Sequence, residues 1–306
     1  ITTFKRRYEM VEKLIGQIRS YRSDVEIIVT VFTVCLIVFL IVKLDKRRTA
    51  IITLSAMLLC VFSSAFIATK INESLARIEY NSGSYGDRIL LTENNRSALI
   101  DISYGDIKSA FETAEFMYDM KINEIDKYVV MSYYDDMVNG IPSIIYNFNV
   151  DEIYMPMPRN NAEEEILLNI NYDLKINKCN TKIIFFEQTD NIIHCKDFSI
   201  SPFHRSTDEN VVAFTIFYKD KFYSYLSSGM LNDENKNIAY RLINGADTII
   251  FGKWGEKVYN YEFIYKIESA EQLIFSDKYM NVPDEILEFY ASKKLYFTPE
   301  RINLIH

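Results

Sequence analysis

Histidine is nearly absent, with three in 306 residues: His194, His204 and His306. That shortage argues against a metal centre built mainly from imidazole, because catalytic zinc sites take about three protein ligands. His194 adjoins Cys195, but neighbours on a strand face opposite sides and chelate poorly. His204 stands alone in a polar stretch expected to be a loop, and His306 is the last residue. Four cysteines are too few for a disulfide scaffold. Of these, Cys179 and Cys195 form a candidate pair if their surroundings are oxidising. With only nine glycines, the chain should keep them where the backbone needs positive φ or close approach. Gly86, Gly140, Gly229 and Gly255 sit at expected strand ends and are read as such turns.

At 49% hydrophobic and 25% charged residues, the sequence excludes disorder and collagen-like repeats. The net charge of −8 is unevenly spread. Residues 1–74 carry 11 basic and 6 acidic side chains, whereas 75–306 carry 23 and 36, a net of −13. A domain this acidic repels polyphosphate at long range, which counts against a broad nucleic-acid surface while leaving room for a local basic groove. Tyrosine and phenylalanine are abundant, at 22 and 20. They are read mainly as core, with base-stacking platforms for single strands as the alternative.

Two long charge-free runs occupy the first quarter of the chain. Residues 27–42 hold sixteen and residues 49–69 twenty-one, close to the ~20 that cross a hydrocarbon layer. A transmembrane hairpin over 25–70 is expected. The tight loop of Lys43, Asp45, Lys46, Arg47 and Arg48 puts its turn in the cytoplasm and the following domain outside. Ahead of it, Phe4, Tyr8, Val11, Ile15 and Ile18 recur at helical spacing within the basic segment 1–24. That segment is either an amphipathic helix on the membrane surface or a helix packed on other spans. Because the chain opens on Ile1, it is expected to be part of a larger membrane protein.

From residue 75 on, short β-branched and aromatic runs alternate with helical patterns. Strands are expected at 89–91, 98–100, 128–131, 152–155, 182–186, 211–218, 222–226, 248–251 and 272–275. Helices are expected at 107–117, 137–146, 232–242 and 284–292, and Glu163, Glu164 and Glu165 read as the acidic start of another. No repeat or linker divides 75–306, so one α/β sandwich domain is expected.

The order of segments resembles the C-terminal part of the ComEC family, channel proteins that import DNA in competent bacteria. Tyr85-Gly86-Asp87-Arg88-Ile89-Leu90-Leu91 is similar to that family's opening QGD strand, and Ala98-Leu99-Ile100-Asp101 to its LLID strand. The stretch from Val129 to Pro142 resembles L-I-L-T-H-x-H-x-D-H-I-G-G-L-P, residues 222–230 a strand ending in TGD, and residues 246–255 the stretch A-D-x-L-x-x-x-H-H-G-S. The resemblance implies an αββα metallo-β-lactamase-like domain over 75–306, following the two transmembrane helices and the amphipathic N-terminal helix.

The departures bear on function. Hydrolases of that fold hold Zn²⁺ or Mn²⁺ through the histidine cluster, further histidines and a bridging aspartate. Here the cluster's histidines correspond to Ser132, Tyr134 and Met137, the bridging aspartate to Met230, and the paired histidines to Lys253 and Trp254. Asp136 is the one ligand position retained, with Asp87 and Asp101 as further acidic remnants. No catalytic residue, metal or small-molecule cofactor is therefore expected, and zinc or manganese enters only if other carboxylates rebuild the site. The implied role is an inactive domain that guides DNA or supports a channel at the cell membrane. Its expected partners are the lipid bilayer, single-stranded DNA and the channel segment preceding residue 1. The alternatives are a tethered module that binds something other than DNA, or a phosphodiesterase on which Asp87, Asp101 and Asp136 converge.

Overall fold

The computed structural model describes residues 76–103, 107–134, 138–186, 192–204, 212–227, 230, 235–252, 267, 270–276, 288, 292–297 and 301–305. The N-terminal amphipathic segment and both apolar runs lie outside the described residues, as does nearly all of the helix expected at 284–292. Among the described residues no helix is long and apolar enough to cross a membrane.

Two seven-stranded mixed sheets face each other. Sheet A comprises β1 (Arg77–Gly83), β2 (Gly86–Glu93), β3 (Arg96–Ser103), β4 (Glu124–Val130), β5 (Asn149–Pro156), β6 (Lys182–Phe186) and β14 (Arg301–Asn303), in the order β14-β1-β2-β3-β4-β5-β6. Sheet B comprises β7 (Ile193–Cys195), β8 (Phe198–His204), β9 (Val212–Tyr218), β10 (Lys221–Ser227), β11 (Thr248–Gly252), β12 (Gln272–Phe275) and β13 (Lys294–Phe297), in the order β13-β12-β11-β10-β9-β8-β7. Strands β3 to β6 run parallel, as do β10 to β13, and the remaining pairs are antiparallel. Helices α1 (Ile107–Asp119), α2 (Ile141–Asn147) and α3 (Asn161–Ile176) cover the outer face of sheet A, and α4 (Lys236–Ile243) covers part of sheet B. The result is an αββα sandwich.

All nine expected strands are present. Five more were not anticipated: β1, β7, β8, β13 and β14. Turn chemistry sets the hairpin registers. Asn94 and Asn95 both adopt positive φ in the two-residue β2–β3 turn, the geometry whose twist matches flanking strands. Gly86 sits at φ +118°, and a side chain there would collide with the Ile102 carbonyl. Gly140, by contrast, is an αR residue at the N-cap of α2 (φ −79°), so of the two expected reasons for a glycine, positive φ does not apply there. Gly229 and Gly255 lie outside the described residues.

Alternation along β2 separates two buried polar networks. Ile89 and Leu91 point between the sheets, Leu90 toward the helices. Arg88, fully buried, shares the helix-facing side. Its Nε donates to Thr113 Oγ1 (2.6 Å), its Nη2 donates to the Ser109 carbonyl (3.1 Å), and Nη2 lies 3.2 Å from Glu112 Oε2. Glu112 in turn accepts from the amides of Ser84 and Tyr85, so α1 holds the β1–β2 turn.

Asp87, also fully buried, points the other way, into the space between the sheets. Tyr80 Oη donates to its Oδ1 (2.9 Å), while Tyr225 Oη (2.8 Å) and Ser276 Oγ (3.2 Å) donate to its Oδ2. Tyr80 belongs to sheet A, Tyr225 belongs to sheet B, and Ser276 directly follows β12 of sheet B. One carboxyl therefore ties the two layers together. Burial first, and then the neighbouring Asp87, hold the Tyr80 phenol well above its ordinary pKa, so it stays a donor. Gly252 is required beside this knot, because a side chain there would overlap the Tyr225 hydroxyl.

Both described cysteines are free. Cys195 is buried in the inter-sheet core and His194 faces solvent, the opposed arrangement expected of strand neighbours.

Two outcomes follow. Asp87→Ala strands three buried hydroxyls and should lower unfolding stability of the full chain by about 3–5 kcal/mol, against about 1–3 kcal/mol for Tyr225→Phe. Urea titration followed by near-UV circular dichroism measures both, and a loss under about 1 kcal/mol for Asp87→Ala would show that the knot does not join the sheets. Burial pushes the Cys195 thiol up to about 11. At pH 8 its thiolate fraction, and hence its alkylation rate, should fall on the order of a hundredfold below that of an ordinary thiol near 8.5. Peptide mass spectrometry after iodoacetamide reads that rate, and labelling within about tenfold of free cysteine contradicts it.

Candidate functional site

The end of the sandwich where β3 to β6 and β10 to β12 finish is the natural place for a ligand, because parallel strands release their loops there. Three of the sequence-derived site positions follow strands that end here. These three, Ser132, Tyr134 and Met230, are described, while Asp136, Met137, Lys253 and Trp254 lie outside the described residues.

Past Val130, the chain leaves β4 through Met131 and Ser132. Ser132 is buried, and its Oγ accepts the Tyr134 amide (3.2 Å), closing a local turn. Tyr133 turns toward the helices and buries its ring among α1, α2 and α3, leaving its hydroxyl without a hydrogen-bond partner among the described residues. Burial first, then Glu163, raises the Tyr133 phenol pKa. Tyr134 is partly exposed, and its carbonyl accepts the Val138 amide (3.1 Å).

Met230 is fully buried in the apolar cluster formed by sheet B and α4, together with Leu226, Ala239, Ile243, Ile249 and Phe251. Its thioether is thus a core group. His204 is not in a loop: it ends β8, paired with Val212, at this same end of the sandwich. Only its backbone is described.

The two described acidic remnants do not converge. Asp87 pairs across the ladder with Ile102 and points between the sheets, whereas Asp101 pairs with Arg88 and points toward α1. The sheet itself stands between them. Each is already occupied: Asp87 as described above, and Asp101 by the Ser103 amide (3.1 Å), the Tyr128 hydroxyl (3.1 Å) and Thr113 Oγ1 (3.3 Å). Burial, then Asp101, raises the Tyr128 phenol pKa and keeps it a donor.

A divalent ion needs about three basic nitrogen, thiolate or carboxylate donors aimed at one point. The described residues among these positions do not supply them: a turn-bound hydroxyl, a thioether in an apolar cluster, and two carboxyls on opposite faces of a sheet. Among the described residues no three His, Cys, Asp or Glu side chains form a metal-binding group. The phosphodiesterase arrangement is thus not met by Asp87 and Asp101.

A cleft of about 330 Å³ opens at the opposite end, lined by residues of β3, β4, β5 and β7 that include Arg96, Asp126, Lys127, Glu152 and His194. Its walls are ion pairs already made. Arg96 meets Asp126, and Lys127 Nζ donates to Glu152 (2.7 Å) and to the Tyr154 hydroxyl (3.0 Å). The hydrogen bond from Lys127 holds Glu152 below the usual carboxylate range.

Pattern reading missed Tyr80, Tyr225, Ser276 and Arg88. The only local signal was face parity: Tyr80 and Asp87 flank one hairpin on the same side. Tyr225 and Ser276 are 138 and 189 positions from Asp87, and nothing local links them to it.

The sequence matches no protein-family model, and no curated protein matches it either. Solved structures do. The metallo-β-lactamase fold protein YhfI from Bacillus subtilis aligns over 75% of this chain and 100% of its own, at 15% identity and a TM-score of 0.50. The short form of human tRNase Z aligns over 74% and 95% at 13% identity (TM-score 0.43). A putative metallo-β-lactamase from Thermotoga maritima aligns over 55% and 86% at 12% (TM-score 0.39). At such identities the likeness to YhfI speaks to architecture alone, and the domain described here has the metallo-β-lactamase fold.

Proposed function

We propose that this chain is a membrane-anchored, ComEC-like protein whose metallo-β-lactamase-fold domain, spanning 75–306, lies outside the cytoplasm and cleaves no bond. It guides DNA, or supports the channel, at the mouth of an uptake path. The observation that carries the inactive reading is Met230, an apolar side chain sealed in core at the position resembling the bridging aspartate. Ser132, tied into its own turn, supports it. Membrane anchoring rests on the charge-free runs at 27–42 and 49–69, and the ComEC-like role rests on the order of motifs along the sequence.

A second reading is favoured by one specific feature, the net charge of −13 over 75–306. It makes the domain a tethered module for a protein or glycan.

After dialysis against Zn²⁺ and Mn²⁺, the full chain should retain less than ~0.1 ion per molecule by elemental analysis. One or two tightly held ions overturn the inactive reading. Fluorescence anisotropy with labelled single-stranded DNA separates the two non-enzymatic readings. A DNA-guiding domain weakens with salt, the slope of log K against log salt being about −0.7 per phosphate contacted. Absence of salt-dependent binding at 50 mM salt selects the second reading.

A further inference from the structure

Helix α3 is apolar on two sides. Ile170 and Leu174 are buried against sheet A, with Ile166 and Leu167 half-buried beside them. On the far side, Leu168, Tyr172 and Ile176 recur every fourth residue and are 69%, 64% and 58% exposed. Side chains at i, i+4 and i+8 stack into one ridge. A surface helix ordinarily presents charge there. Among the described residues α3 packs on the domain through its opposite side, so that packing does not account for this ridge.

The ends of the ridge differ in sign. Glu164 and Glu165 lie exposed in its first turns, while Lys175 and Lys178 lie exposed at its end. This polarity makes the surface complementary to itself when reversed. A two-fold rotation centred near position 170 lays Leu168 against Tyr172 of a second copy. It sets Glu165 beside the other copy's Lys175, and both contacts occur twice, as a two-fold interface requires. A lipid surface suits the ridge poorly, since three side chains are a narrow wedge and the glutamates are repelled by anionic headgroups.

We propose that the α3 ridge is a homodimer interface, with two copies packed antiparallel through Leu168, Tyr172 and Ile176 and held in register by Glu165–Lys175 pairs. The inference stands apart from any role in DNA uptake. A contact of one helix on another falls short of the ~1,200 Å² typical of stable complexes. The association is therefore weak in solution and gains when copies share a surface that raises their effective concentration.

Sedimentation velocity of the full chain over ~1–200 μM, near the low end of specific association, tests this. A dimer should appear with concentration. Glu165→Lys should move its midpoint at least about tenfold upward, and Glu165→Lys with Lys175→Glu should restore it, because the swap re-creates both pairs. Tyr172→Glu should abolish it with far-UV circular dichroism unchanged, since the side chain is exposed. Leu168→Cys with Tyr172→Cys should cross-link between copies under mild oxidation, at a concentration where the monomer dominates after reduction. A monomer throughout the range, or a dimer indifferent to Glu165→Lys and Tyr172→Glu, overturns the proposal.

Discussion

A single carboxyl group joins the two halves of the sandwich. Asp87 takes hydroxyl donors from Tyr80 in its own layer and from Tyr225 and Ser276 in the other, in a place closed to water. Two sheets packed through apolar side chains can slide, because dispersion and burial are nearly non-directional. Hydrogen bonds are directional, and unmade ones at a buried site are costly. The knot therefore fixes the stagger of sheet A on sheet B at one end, and neighbouring backbone obeys it. Gly252 must be glycine because the Tyr225 hydroxyl occupies its side-chain space, and the turn preceding Asp87 must close tightly enough to need positive φ at Gly86.

Among the described residues, three side-chain hydroxyls meeting on Asp87 bridge the layers. Asp87 and Arg88, adjacent in sequence, serve opposite faces of β2, one tying sheet to sheet and the other tying sheet to α1. Period-two alternation lets consecutive residues anchor different layers. The same alternation keeps Asp87 and Asp101 apart, since Asp101 shares a face with Arg88.

What the sequence revealed depended on whether the signal was local. Runs such as Val212–Tyr218 and Thr248–Gly252 are dense in β-branched and aromatic residues, and they announce strands without help. Strand β8 did not, because Pro202 sits inside FSISPFH, and proline usually argues against an inner strand. It is tolerated because β7 pairs only with residues 198–200, leaving the far edge of Pro202 open. β14 and β7, three residues each, are too short to show a period. The start of α3 was readable from its glutamates, and Asn160 indeed caps it by accepting the Glu163 amide. The ridge on its outer side was not, since exposure is a property of the packed molecule. For the candidate site, motif positions were legible in order, but the knot joins residues far apart in sequence and needs the register of both sheets.

Met230 follows from the same physics. A carboxylate is tolerated between the sheets of such a domain when a cation or a set of donors balances it, and Asp87 has donors. Met230 packs with Leu226, Ala239, Ile243 and Phe251, all apolar. An aspartate there without metal would be an uncompensated buried charge, costing several kcal/mol on the order expected for an unpaired ion. A methionine instead removes apolar surface from water, worth about 1.5–3 kcal/mol when fully buried, and its flexible thioether fills irregular space. Among these apolar neighbours an unpaired aspartate is thus a liability and the thioether a gain. The demands at Gly86, Gly252 and Asp87 are those of the scaffold itself and do not involve position 230.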